Sequence, residues 1–277
     1  MSVACLNGDW IDVAAATIPA DDPGFLTGDA VFETGRLVPG GYFGLERHLD
    51  RLAESAAELG LPLPARAELR AIARGLAERN DFREAVLRLT LTRGGRAGPV
   101  LLGTLTPMPP DWRARAGRGW RVVTAAVRHP PAAALPAAKT PGRAHGLVAR
   151  VQARAAGADD ALLLSPAGDI VEGPSWNVFW RRAGALFTPA AETGLLEGIT
   201  RATVLELAPT LGYAVEQGCW ARADLDGADE VLATMTSSGV VGFAELDGRA
   251  LPAGAGEAAR RLQDAYWQRV AAEARPA

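Results

Sequence analysis

Ten consecutive residues near the middle of the chain, His129–Ala138, read HPPAAALPAA. Three prolines and no clear apolar period make this the best linker candidate in the sequence, since proline fixes φ and removes a backbone donor. A chain divided in this way is expected to fold as two packed lobes. Strand and helix patterns mix on both sides, so the fold class is α/β (α+β). The expected layout is a small N-terminal α/β domain over 1–127, an interdomain linker over 128–138 and a larger C-terminal α/β domain over 139–277.

The local patterns fill in both lobes. Asn7-Gly8-Asp9 turns a hairpin within Val3–Val13, and Asp29–Val38 alternates before the turn Pro39-Gly40-Gly41. Leu45, Leu49, Leu52 and Ala56 share one face of a helix over Phe43–Leu59, which Gly60 and Pro62 end. Ala65–Asn80 is a second amphipathic helix. Glu84–Arg93 alternates, with Leu87, Leu89 and Leu91 opposite Arg88, Thr90 and Thr92, and Val100–Thr106 and Trp120–Val127 read as further strands. After the linker come a helix at Gly142–Ala156 and strands at Asp160–Leu164, Asp169–Glu172, Asn177–Arg181 and Leu186–Thr188. A helix at Gly198–Leu211, strands at Ala214–Trp220 and Glu230–Thr236 and a closing helix at Gly254–Ala274 complete the order.

Composition excludes several function classes. A net charge of −3, with no basic run carrying interleaved aromatics, argues against a nucleic-acid partner. No uncharged apolar run reaches the roughly 20 residues of a membrane helix, and the N-terminus lacks the pattern of a signal peptide. A soluble cytoplasmic protein is expected. Two distant cysteines, Cys5 and Cys219, and three histidines support neither a disulfide scaffold nor a metal site.

The basic residues are unusual: 28 arginines and one lysine, Lys139, immediately after the linker and near the seam between the lobes. Arginine can replace lysine as a surface cation but not as a nucleophile, because the guanidinium stays protonated. The count alone leaves a catalytic role and chance about equal. The surrounding residues offer a candidate for each part that a pyridoxal phosphate enzyme needs, a Schiff-base lysine, a carboxylate for the ring nitrogen and a phosphate cup, though each is a weak signal alone. Glu172 ends a strand before Gly173-Pro174, although alone it reads more readily as a turn-flanking surface glutamate. Gly198-Ile199-Thr200-Arg201 opens a helix whose first amides could hold an anion. Thr234-Met235-Thr236-Ser237-Ser238-Gly239 clusters hydroxyls at a strand end. Arg51 lies on an apolar-striped helix, where it could equally pair with Asp50 or Glu54.

Taken in order, these segments resemble the class IV aminotransferases, the fold-type IV pyridoxal phosphate enzymes. That family includes branched-chain and D-amino acid aminotransferases, (R)-amine transaminases and 4-amino-4-deoxychorismate lyase. The resemblance runs from Asp22-Pro23-Gly24-Phe25 and Gly28-Asp29-Ala30-Val31-Phe32-Glu33 through His48-Leu49-Asp50-Arg51-Leu52, Thr92-Arg93-Gly94 and Ala138-Lys139. It continues through Gly157-Ala158-Asp159-Asp160-Ala161, Glu172-Gly173 and Asn177-Val178-Phe179. Thr188-Pro189, Gly198-Ile199-Thr200-Arg201, Ala228-Asp229-Glu230 and Thr236 close it. The resemblance implies pyridoxal 5'-phosphate as cofactor and Lys139 as the Schiff-base lysine and proton shuttle. It implies Glu172 as the partner of the ring nitrogen and Arg51, Ile199, Thr200 and Thr236 as phosphate ligands. Ser237 and Ser238 match the turn near the substrate carboxylate, and a homodimer is implied by analogy.

Subfamily is less legible. Ala144 stands where branched-chain enzymes often carry tyrosine, and Pro141-Gly142 is unusual. Arg143 and the run Phe32-Glu33-Thr34-Gly35-Arg36 look more like the lyase branch. The short loop Arg93–Pro99 keeps Arg96 but lacks the histidine of D-amino acid enzymes. Arg36, Arg96 and Arg143, with Phe32 beside them, are the candidates for holding a carboxylated substrate, each also readable as an ordinary salt-bridging arginine. The first expectation is a transaminase acting on an amino donor and a 2-keto acid. The alternative is aminodeoxychorismate lyase, releasing pyruvate and 4-aminobenzoate. A non-catalytic protein that kept the fold is third, and the presence of both Lys139 and Glu172 argues against it.

Overall fold

The computed structural model describes residues 2–131, 138–251 and 256–277. By contact, these fall into two units. One takes the described residues up to Pro109, with 138–142 and Val270–Ala277; the other takes 110–131 and the described part of Arg143–Arg269. Most of the expected linker, residues 132–137, lies outside the described residues.

The first unit begins with a hairpin, β1 (Val3–Leu6) and β2 (Asp9–Asp12), whose turn places Asn7 and Gly8 at positive φ. A short helix α1 (Pro23–Leu26) precedes β3 (Ala30–Val38), β4 (Gly41–Phe43), α2 (Leu45–Glu58), α3 (Arg66–Arg79), β5 (Ala85–Thr92) and β6 (Leu101–Pro107). The sheet order is β2-β1-β6-β5-β3-β4, antiparallel throughout. The leucine face of β5 packs with Leu45, Leu49 and Leu52 of α2 and Leu69, Ile72 and Leu76 of α3 in one apolar core. Each fully buried leucine contributes roughly 2 kcal/mol. The opposite face of the sheet carries Phe32, Thr34, Arg88 and Thr90, all half-buried.

The second unit contains α4 (Trp112–Gly117), β7 (Trp120–Thr124), α5 (Ala144–Ala155), β8 (Asp160–Leu164), β9 (Ile170–Glu172), β10 (Asn177–Arg182) and β11 (Ala185–Pro189). It continues with α6 (Ile199–Thr210), β12 (Val215–Gly218), β13 (Glu230–Met235), β14 (Gly239–Leu246), β15 (Arg249–Ala250) and α7 (Glu257–Glu273), whose end clusters with the first unit. Its sheet runs β12-β11-β10-β13-β14-β7-β8-β9, with β15 on β14. Trp176, Trp180, Phe187 and Phe243 fill the core of this unit.

Three differences from the sequence reading stand out. The strand expected at the end of the small lobe, β7, pairs in parallel with β14 and β8 and so belongs to the second sheet. The contact boundary falls after Pro109 rather than at 127, and Lys139 groups with the first unit. Strand β14 is absent from the elements expected above. Its sequence GVVGFAEL is buried on both faces over most of its length, so it lacks the polar alternation that marks a half-exposed strand.

Candidate active site

Lys139 is clipped through its backbone. Its N–H donates to Ser55 Oγ on α2 at 3.0 Å, and its carbonyl accepts from Phe32 N–H on β3 at 3.0 Å. The ammonium then sits 4.5 Å from the centre of the Phe32 ring. Arg88, one strand over on β5, places its guanidinium carbon 3.8 Å from the same ring centre. Arg88 Nε donates to Thr90 Oγ1 at 3.2 Å, and burial pushes the guanidinium below its usual range. An amine and a half-buried guanidinium thus share one aromatic platform. Nothing in the sequence singles out Arg88 as a site residue. Only the register that pairs Thr34 with Arg88 and Phe32 with Thr90 brings it to Phe32.

Beneath this face lies a buried charged cluster. Arg51 on α2 grips Glu33 on β3 with both forks, Nε to Oε1 at 2.6 Å and Nη2 to Oε2 at 3.0 Å. His48 Nδ1 is 2.7 Å from Glu33 Oε2. Burial would raise the Glu33 carboxyl, but His48 and Arg51 outweigh it and hold it down to about 2. Burial pushes the His48 ring down, against the pull of Glu33. Arg51 is the standing counter-charge of Glu33, and His48 is its second hydrogen-bond partner. Arg36 is fully buried and ion-paired to Glu84 at 2.8 Å. Arg96, by contrast, has a side chain that is 97% exposed, against Asp21.

In the second unit the polar groups converge on Asn177. Glu172, at the end of β9, is 3% exposed and not a surface turn residue. Its Oε1 accepts from Arg143 Nη1 at 2.9 Å. Its Oε2 accepts from Asn177 Nδ2 at 3.2 Å and from Leu196 N–H at 2.9 Å. Asn177 also approaches Gly198, where a Cβ would come within 2.1 Å of Asn177 Oδ1, so only glycine fits at the start of α6. Among the described residues no side chain caps that helix, which leaves the first-turn amides of Ile199 and Thr200 for another acceptor. Arg201 turns away to brace the helix, donating to the Pro189 carbonyl at 2.8 Å and Gln217 Oε1 at 2.7 Å. Asn177 is the register partner of Thr234 on β13, which leads into the half-buried turn Thr236-Ser237-Ser238. Thr234 Oγ1 is buried with no hydrogen-bond partner among the described residues.

The second unit thus carries a buried carboxylate, an uncapped helix start, a hydroxyl turn and an orphaned hydroxyl around one asparagine. Such a donor set fits a group with a basic ring nitrogen at one end and a phosphate at the other. Residues 30–246 match the family model described as Amino-transferase class IV. A Methanocaldococcus jannaschii protein, assigned by name to the branched-chain-amino-acid aminotransferases, is 35% identical over 94% of each chain. The aminodeoxychorismate lyase of Bacillus subtilis is 27% identical over 96% of this chain and 94% of its own. Among solved structures, the branched-chain aminotransferase of the archaeon Thermoproteus uzoniensis, crystallised with norvaline, superposes with a TM-score of 0.90. It is 29% identical, covering 98% of this chain and 95% of that one. The chain belongs to the class IV aminotransferase family, whose pyridoxal phosphate-dependent transamination is the chemistry of its class.

Proposed function

We propose that this protein is an amino acid:2-keto acid transaminase of the branched-chain type that uses Lys139 as its reactive amine. The observation that carries this reading is the pairing of Lys139 and Arg88 on the Phe32 ring. A desolvated guanidinium beside the reacting amine suits a substrate that brings its own carboxylate. The similarity to branched-chain enzymes supports the substrate type.

Pyridoxal phosphate, when bound, supplies an aldehyde carbon that takes up the amino group and a ring that draws electrons from the carbon losing its proton. The rest falls to side chains of this chain. Lys139 Nζ takes the proton from the substrate carbon and returns it, acting as general base and then acid. Glu172 offers the remaining direction of Oε1 to the ring nitrogen, its carboxylate fixed by Asn177, the Leu196 amide and Arg143. Ile199 and Thr200 hold the phosphate with amides and a hydroxyl, Thr236 adds a second hydroxyl, and Arg51 adds charge. Arg88 binds the substrate carboxylate in preference to Arg36, which is committed to Glu84, and to Arg96, which is solvated. Ser237 and Ser238, on the turn after β13, offer their hydroxyls to the substrate.

A paired assay tests the reading. Branched-chain L-amino acids with 2-oxoglutarate are expected to give the matching keto acids, while aminodeoxychorismate gives no pyruvate. Pyruvate release without amino transfer would assign the protein to the lyase branch instead. The same reading includes a homodimer. Leu147 and Val151, one turn apart on α5, are 63% and 62% exposed, which is costly for large apolar side chains left in water. Val151→Glu is expected to shift the mass measured by light scattering from two chains to one. An unchanged mass would remove this helix from the contact.

A further inference from the structure

In sequence Arg143 reads as a substrate ligand; its contacts give it a different task. Its Nη1 donates to Glu172 Oε1 at 2.9 Å, and its side chain is 20% exposed against 3% for Glu172. The same carboxylate oxygen has a second neighbour. His129 is fully buried, and its Nδ1 lies 2.7 Å from the Pro130 carbonyl, which can only accept, so that nitrogen carries a proton. This turns Nε2 toward Glu172, 3.6 Å from Oε1, with no hydrogen-bond partner among the described residues. The His145 ring stands edge-on to His129 at 5.0 Å.

A carboxylate offers about four lone-pair directions. Asn177 and Leu196 take Oε2, and Arg143 takes one direction on Oε1. One direction on Oε1 remains, and His129 Nε2 lies 3.6 Å from the same oxygen. A guanidinium this close draws electron density from Oε1 and competes with any other donor for it. We propose that Arg143 is a positioning residue for Glu172 rather than a ligand of the substrate carboxylate, and that it moderates the grip of Glu172 on the ring nitrogen of the cofactor. The proposal rests on the assignment of Glu172 to that nitrogen. Since Asn177 and the Leu196 amide still hold Oε2, removing the guanidinium frees Oε1 without releasing the carboxylate.

The test uses holoenzyme reconstituted with cofactor labelled with 15N in the ring, together with steady-state kinetics. Arg143→Met is expected to move the ring 15N signal toward that of the fully protonated nitrogen and to leave the KM for the keto acid within about twofold. Arg143→Lys keeps the charge, is gentler to the fold and is expected to keep the signal near that of the wild type. Glu172→Gln is expected to move the signal the other way. A KM raised about tenfold or more, the cost of a lost charged hydrogen bond, with an unmoved 15N signal in Arg143→Met would overturn the proposal and return Arg143 to substrate binding. An unmoved signal in Glu172→Gln would instead refute the assignment of Glu172 itself, so the two failures can be told apart.

Discussion

Lys139→Ala is expected to lower amino transfer by about 10⁴-fold, the upper end of what a positioned acid–base group contributes. The protein should still fold, because the bonds that fix this position come from the backbone: the N–H to Ser55 and the carbonyl from Phe32. Alanine keeps both. The chain has no second lysine to take over, so the loss should be uncompensated unless a small amine is supplied. Added methylamine should restore part of the proton transfer. In the wild type, borohydride treatment followed by peptide mapping should find the cofactor on Lys139 and on no other side chain. Turnover of Lys139→Ala at the wild-type rate would end the proposed mechanism.

Glu33→Ala is expected to be the most destabilising single change near the site. It strands the Arg51 guanidinium and the buried His48 without their shared acceptor, and breaking a buried pair in this way costs about 3–5 kcal/mol. The same cluster makes stability depend on pH. The Glu33 carboxyl is held down to about 2 in the fold, against an ordinary value of 4.5. A group lowered by folding stabilises the protein above its unfolded value, and that stability is lost as pH falls toward the folded one. A tenfold change in acidity on folding is worth about 1.36 kcal/mol, so Glu33 contributes on the order of 3 kcal/mol at neutral pH, lost progressively between about pH 5 and pH 2. His48, pushed down by burial, acts in the same direction, since the unfolded chain binds its proton more readily. Urea unfolding at pH 7 and pH 3 should show a steep loss for the wild type and a much shallower one for Glu33→Gln. Equal slopes for the two proteins would mean that this cluster is not what titrates. Because Glu33 also orients Arg51, cofactor affinity should fall in both variants.

Much of this is legible in the chain itself. The leucine face of β5, the stripe on α2 and the glycine before α6 show local periods or turn chemistry that a short window reveals, and the structure places them as read. Other features are hidden for identifiable reasons. Glu172 looks like a surface glutamate because its burial depends on Asn177, Leu196 and Arg143, which only the folded sheet and loops bring to it. Arg88 looks like any polar residue of an alternating strand until strand register sets it over Phe32. Arg36, Arg96 and Arg143 look alike in sequence; the fold buries one on Glu84, leaves one in solvent and fastens the third to Glu172.

The mixed α/β class, the solitary lysine, the hydroxyl turn at 236–238 and the glycine-led start of α6 all follow from the order of residues along the chain. They depend on side-chain chemistry and on spacing over a few turns or strands, both of which the chain states directly. Folding alone settles which arginine meets which carboxylate, makes Glu33 a buried ion-pair centre and seats Arg88 on the same aromatic ring as Lys139. Those pairings join distant residues. Phe32 and Arg88 are 56 positions apart, and Lys139 lies 51 positions beyond Arg88. Closure over such distances is set by strand register and by the collective burial of a core, and no local pattern carries it.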